Sequence, residues 1–127
     1  MSPTALIVED ESDMATSYER LLRRQGLQVI KAPSREAGLA MLGSTPLDLL
    51  VCDVRLPDGD GLDVVRAARA LHPPAPAVVV TGFGSQANRD AALAAGASSY
   101  LTKPFTLVAF QAAVTTALAQ GRGASAP

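Results

Sequence analysis

Five polar side chains stand out because each closes an apolar run. Glu9 and Asp10 follow "ALIV", Asp53 ends "LLVCD", Thr81 ends "AVVVT", and Lys103 follows "SYLT". Three carboxylates brought into one cleft repel one another, and each raises the pKa of its neighbours unless a cation is present. A hard divalent ion with oxygen ligands resolves that conflict. Mg²⁺ takes one or two carboxylates and keeps waters and a phosphate in its other positions. Lys103 is then redundant for charge balance, but it makes sense if a further anion, a phosphoryl group, also visits. Thr81 can give that group a hydroxyl hydrogen bond. Asp53 is left as a nucleophile, because a carboxylate can form an acyl-phosphate intermediate.

That chemistry requires elements that bring distant residues together. Ala5 to Val8 reads as a buried strand. Asp13 to Gln25 carries Met14, Tyr18, Leu21 and Leu22 at helical spacing and stops at Gly26. Leu27 to Lys31 is a second strand, with β-branched Val29 and Ile30. Ser34 can cap a helix that ends near Gly43, and Leu47 to Cys52 is a third strand. Leu62 to Leu71 is a helix closed by Pro73 and Pro74, Ala77 to Val80 a fourth strand, and Ser85 to Ala95 a capped helix. Ser99 to Leu101 is a short fifth strand, and Thr106 can cap a last helix reaching about Gln120. Strand–helix alternation of this kind predicts an α/β layer fold with a parallel sheet. The strands are nearly continuous apolar runs, as when helices cover both faces. In such a sheet the carboxyl ends of the strands share one rim, where ligands bind. The polar residues all fall at those ends.

The bulk numbers agree with one small domain. The chain has 127 residues, 48% hydrophobic and 18% charged, with a formal net charge of −1. We expect a domain over residues 1–120 and a flexible tail over 121–127. The charge gives no global field toward nucleic acid or an anionic membrane, and no apolar stretch is long enough to span a bilayer. Glu9, Asp10 and Glu11 interrupt the first apolar run at once, unlike a signal peptide. The single cysteine, Cys52, excludes an internal disulfide and fits a reducing cytoplasm. One Cys and one His make a thiol or imidazole metal cage a poor reading.

With "LIVEDE", "VCDVRLPDGDG", "VVVTGFG" and "YLTKPF" in this order, the chain resembles the receiver domains of two-component response regulators over nearly its whole length. The "TGFG" and "GASSYLTKPF" stretches are similar to receivers of the nitrogen-regulation type. The resemblance implies a flavodoxin-like (CheY-like) doubly wound sheet of five parallel strands in order 2-1-3-4-5, with five helices. It implies Asp53 as phosphoacceptor, and a sensor histidine kinase or phosphotransfer protein as donor. Glu9 and Asp10 match the acidic pair, Asp10 as direct Mg²⁺ ligand and Glu9 through water, with the backbone carbonyl of Arg55 completing the protein ligands. Thr81 and Lys103 match the phosphoryl-binding pair, and Tyr100 the switch aromatic. Many members carry Asp where this chain has Glu9. The longer side chain keeps the charge, and Mg²⁺ binding is expected to survive.

Blander readings stand beside these. Glu9 and Asp10 can favour the N-terminus of the next helix through its dipole, and a half-buried tyrosine such as Tyr100 is common in any core. Cys52 reads as a small buried hydrophobe, and His72 as a surface residue. Arg55 and Phe83 flank the approach of attacking water in the resemblance, and bulky Phe83 predicts a long-lived phosphoryl state. Residues Thr106 to Gln120 include no charge, which suits either an alanine-rich surface helix or a face for a homodimer or an output partner. The chain alone is not expected to bind DNA. The rival enzyme reading is a Mg²⁺-dependent phosphatase with an aspartate nucleophile, but that motif wants an acid where Arg55 stands. A flavodoxin-like cofactor carrier wants Ser, Thr and Gly after the first strand, where this chain has "EDES".

Overall fold

In the computed structural model the described residues are 2–71, 73–82 and 84–125, with side chains described as far as Gln120. His72 and Phe83, with the surface and lifetime roles expected of them, lie outside the described residues. Twelve elements run in the order β1 (Thr4–Val8), α1 (Ser12–Arg24), β2 (Gln28–Ala32), α2 (Arg35–Ser44), β3 (Leu49–Asp53), β4 (Arg55–Leu56), β5 (Gly59–Asp60), α3 (Leu62–Arg69), β6 (Ala77–Thr81), α4 (Gln86–Ala94), β7 (Ser99–Thr102) and α5 (Leu107–Ser125). Five strands form one parallel sheet in the order β2-β1-β3-β6-β7. Counting these long strands alone, the order is the expected 2-1-3-4-5.

Local chemistry sets the helix ends. The Ser34 hydroxyl accepts the Ala37 N–H, the Ser85 hydroxyl that of Asn88, and the Thr106 hydroxyl that of Ala109. Each satisfies one donor that a helix start leaves open. Gly26 and Gly96 follow α1 and α4 at φ of 91° and 105°, a left-handed turn that glycine enters without steric penalty. At its far end α5 runs past Gln120 to Ser125. Gly121 and Gly123 weaken a helix there by about 1 kcal/mol each without breaking it.

The pleat divides the core in two. Leu6, Val8, Leu50, Cys52, Ala77 and Val79 pack on one face with Leu42, Val64, Val65 and Ala92 from α2, α3 and α4. Ala5, Ile7, Leu49, Val51, Val78 and Val80 pack on the other with Tyr18, Leu22, Phe110 and Val114 from α1 and α5. Alternate residues of one strand thus serve opposite layers, so no position inside β3 or β6 is left for a polar group until the strand ends. No helix among the described residues is long and apolar enough to cross a membrane.

One turn positions the rim. Gly61 N–H donates to Val54 O at 2.7 Å. A Cβ on Gly61 would lie 1.8 Å from the Asp53 carbonyl oxygen. The backbone after Asp53 folds back so tightly that only a hydrogen fits. Gly61→Ala is expected to destabilise at the top of the overpacking range, about 3 kcal/mol. Gly43→Ala, in α2 with nothing within 4 Å of the added carbon, is expected to stabilise by about 0.5–1 kcal/mol. Denaturant unfolding of the two variants checks both signs. Equal effects would show that the turn is not closely packed.

Candidate functional site

The register brings the strand ends level. Val8 pairs with Cys52, Asp53 with Val80, and Thr81 with Thr102. Glu9, Asp53, Thr81 and Lys103 therefore sit within a residue or so of one line across the sheet. The chain segments that carry them are up to 94 residues apart.

Lys103, from the end of β7, ties that line together. Its ammonium Nζ donates to Asp53 Oδ2 at 2.8 Å and to Glu9 Oε1 at 3.1 Å. The three side chains are largely out of solvent, at 20% exposure for Lys103, 10% for Asp53 and 1% for Glu9. Two carboxylates thus share one ammonium where the solvent no longer screens them well. Burial, reinforced by the Asp53 charge, pushes the Glu9 carboxyl up to about 7. Hydrogen bonds from the Glu11 N–H and from Lys103 offset part of that rise. Burial works against the Lys103 ammonium, yet the hydrogen bond from Lys103 to Asp53 and the nearby negative charges outweigh it and hold the lysine above its ordinary value.

Asp10 completes the acidic group. Ligand oxygens of Glu9, Asp10 and Asp53 all lie within 4.8 Å of one another, with Asp10 exposed and the other two buried. Three carboxylates against one ammonium leave the pocket short of positive charge. Oxygen-only donors opening to solvent on one side suit a hard divalent cation that keeps part of its water.

A backbone group holds Asp53. Arg55 N–H donates to Asp53 Oδ1 at 3.2 Å, so one carboxylate oxygen is held from behind while the other faces Lys103. Thr81, at 1% exposure, ends β6 beside the strand that carries Asp53. Tyr100 lies on β7 opposite Val79 and is half-buried in the layer of α2, α3 and α4. Thr81, two residues after Val79, shares that face. The structure therefore gathers Glu9, Asp10, Asp53 and Lys103, puts Thr81 at the same rim, and sets Tyr100 one layer below it. Arg55 stands in the hairpin formed by β4 and β5.

Sequence reasoning missed how that hairpin is held. Asp58 at its tip accepts the N–H groups of Arg35 and Glu36 at 2.8 and 2.9 Å, so a residue of one loop caps the start of α2. Those bonds hold the Asp58 carboxyl below its usual range. The Arg35 guanidinium passes beside Gly59 and meets Asp63 at 2.9 Å. "PDGDG" announces a turn, but no local signal says which distant helix an exposed aspartate will cap.

The chain is similar to known proteins in sequence and in fold. The family described as "Response regulator receiver domain" matches residues 5–115. The chain is 40% identical to the response regulator protein PilR of Pseudomonas aeruginosa over 90% of its length, and 41% identical to the transcriptional regulatory protein PrrA of Mycobacterium leprae over 98%. It spans 26% and 53% of those relatives. A receiver domain protein (CheY-like) from Methanospirillum hungatei superposes with a TM-score of 0.89 at 28% identity, over 97% of this chain and 98% of that one. None of these supports the phosphatase alternative. The lysine-bridged carboxylates at the strand rim, the sheet order and the family match lead to one conclusion: this chain belongs to the receiver domains of two-component response regulators.

Proposed function

We propose that the chain is a phospho-switch in which Asp53 is the phosphoacceptor, and that the module occupies residues 1–120. The observation that carries this reading is the Lys103 ammonium 2.8 Å from Asp53 Oδ2 beside two further carboxylates. In the forward step a carboxylate oxygen of Asp53 attacks the phosphorus of a phosphohistidine on a sensor kinase or phosphotransfer protein. An O–P bond forms, the P–N bond breaks, and its electron pair leaves on the imidazole. Lys103 holds one phosphoryl oxygen and the Thr81 hydroxyl another, since such transfers depend on positioning and charge neutralisation. Water later attacks the acyl phosphate and returns Asp53. The module thus catalyses only its own labelling and unlabelling.

The donor set fits Mg²⁺. Asp10 and Asp53, with Glu9 through water and the Arg55 carbonyl, would hold it, and the ion when bound neutralises charge on the carboxylate and phosphoryl oxygens. Thr81 moving toward the phosphoryl group would open room for Tyr100, which shares its face of the sheet. The output is then a population shift, limited by the differential affinity of the label for the two states. We assign the switch to control of transcription through an attached output domain or a partner protein; that its relative PrrA is named a transcriptional regulatory protein supports this role. Leu107 and Val108 face outward on α5 at 46% and 73% exposure, which supports contact of that helix with the output partner or a second copy. A cytoplasmic setting suits the free thiol of buried Cys52.

Incubation with acetyl phosphate and Mg²⁺ should add one phosphoryl mass to the wild type and none to Asp53→Asn or to the wild type in EDTA. Labelling that persists in Asp53→Asn would sink the assignment.

A second outcome follows from Glu9. Its proton leaves near the usual 4.5 when the chain is unfolded and near 7 in the fold. Between those values the folded state holds more protons, so Glu9 makes stability decline as pH rises. In EDTA, the unfolding free energy of the wild type should fall relative to Glu9→Gln between pH 5 and 7. Saturating Mg²⁺ should flatten the trend by taking the place of the proton. A pH-independent difference in EDTA would contradict it.

A further inference from the structure

Tyr18 was expected only as an apolar residue of α1, and its ring does serve the core. It stacks on Phe110 at 5.6 Å and lies 6.0 Å from Phe105, which is itself 5.5 Å from Phe110. Its hydroxyl does not fit that role. The residue is 3% exposed, and the oxygen is buried with no hydrogen-bond partner among the described residues. A buried hydroxyl left unpaired is destabilising, and a phenylalanine would stack as well. The oxygen calls for a partner that is close at hand.

Lys103 stands near that oxygen. Tyr18 and Lys103 line the same apolar groove of about 490 Å³, with Met14, Leu21, Pro104 and Phe105. Burial pushes the phenol up to about 12, and the Lys103 charge pulls it part of the way back. An ammonium has three N–H donors. Lys103 gives one to Asp53 and one to Glu9. One remains, beside an acceptor that lacks a donor. The stack also reaches the lysine through the chain, because Phe105 follows it by two residues and packs against Tyr18.

We propose that Tyr18 is a positioning residue for Lys103, its hydroxyl accepting the third N–H of the ammonium as the lysine moves from its resting carboxylates to an incoming phosphoryl oxygen. The inference rests on the assignment of Lys103 as the phosphoryl-binding cation. The ring fixes the height of the Lys103–Phe105 segment above α1. The hydroxyl keeps the ammonium aimed at the rim when Glu9 is drawn to a metal ion.

The experiment compares wild type, Tyr18→Phe and Lys103→Met as ¹⁵N-labelled protein, with acetyl phosphate and Mg²⁺ as probes. Tyr18→Phe preserves the stack, so the variant should fold. Its Lys103 ammonium ¹H–¹⁵N resonance should shift and its amine hydrogens should exchange faster. Phosphoryl uptake should slow roughly three- to ten-fold, as expected for loss of one ordinary hydrogen bond. A purely structural role for the ring would leave that resonance where it is. An unmoved resonance, or uptake at the wild-type rate, overturns the proposal. Lys103→Met separates the two readings. If it takes up phosphate at the wild-type rate, the role of Lys103 itself falls. If it is slow while Tyr18→Phe behaves as wild type, Lys103 stands and Tyr18 alone is refuted.

Discussion

The sharing of one ammonium by two buried carboxylates governs this molecule. Asp53 and Glu9 stand at the ends of apolar strands, where an unpaired charge is strongly disfavoured. Lys103 relieves that by bonding both at once, at 2.8 and 3.1 Å. The relief is incomplete. Glu9 still holds its proton to about 7, and Asp10 adds a third carboxylate within 4.8 Å. A site neutral in itself would have no need of a metal ion. One kept short of positive charge suits a hard divalent cation, and in the function proposed above that cation and the Lys103 ammonium would together offset an incoming phosphoryl anion.

The rest of the fold holds that imbalance in place. Parallel pairing sets Val8 level with Cys52, Asp53 with Val80 and Thr81 with Thr102, so strands from all parts of the chain end at one rim. Two apolar layers make the strands insoluble anywhere but inside, and their polar residues are confined to the ends. The turn at Gly61 presses on the Asp53 carbonyl, and Asp58 ties the same hairpin to the start of α2. On the other flank, Phe105 and Phe110 stack with Tyr18 and anchor the segment that carries Lys103. Asp53 and Lys103 are thus each braced by a helix on a different face of the sheet.

Much of this was legible in the residues. The apolar runs ending in Asp53, Thr81 and Lys103 gave the strands, and the Ser34, Ser85 and Thr106 caps gave three helix starts, because both signals are local. The third strand was placed from Leu47. It begins at Leu49 because the Asp48 N–H and carboxylate are engaged with Thr4 at the sheet's lower edge. The hairpin strands β4 and β5 read only as a turn, being two residues each. Asp58 on α2 and the Tyr18 hydroxyl beside Lys103 were hidden for a shared reason. Each depends on a contact between segments far apart in the chain, and nothing in the local pattern of either segment encodes it.

The central claim is that the strand rim is a joint metal and phosphoryl site with Asp53 as its nucleophile. A crystal structure of the protein with Mg²⁺ and beryllofluoride tests it most directly. The account predicts a fluoroberyllate bonded to an Asp53 carboxylate oxygen, Mg²⁺ on Asp10 and Asp53, and the Lys103 ammonium moved from Glu9 onto a fluoride. A fluoroberyllate absent from Asp53 at saturating concentration, with Lys103 still seated on both carboxylates, would contradict it.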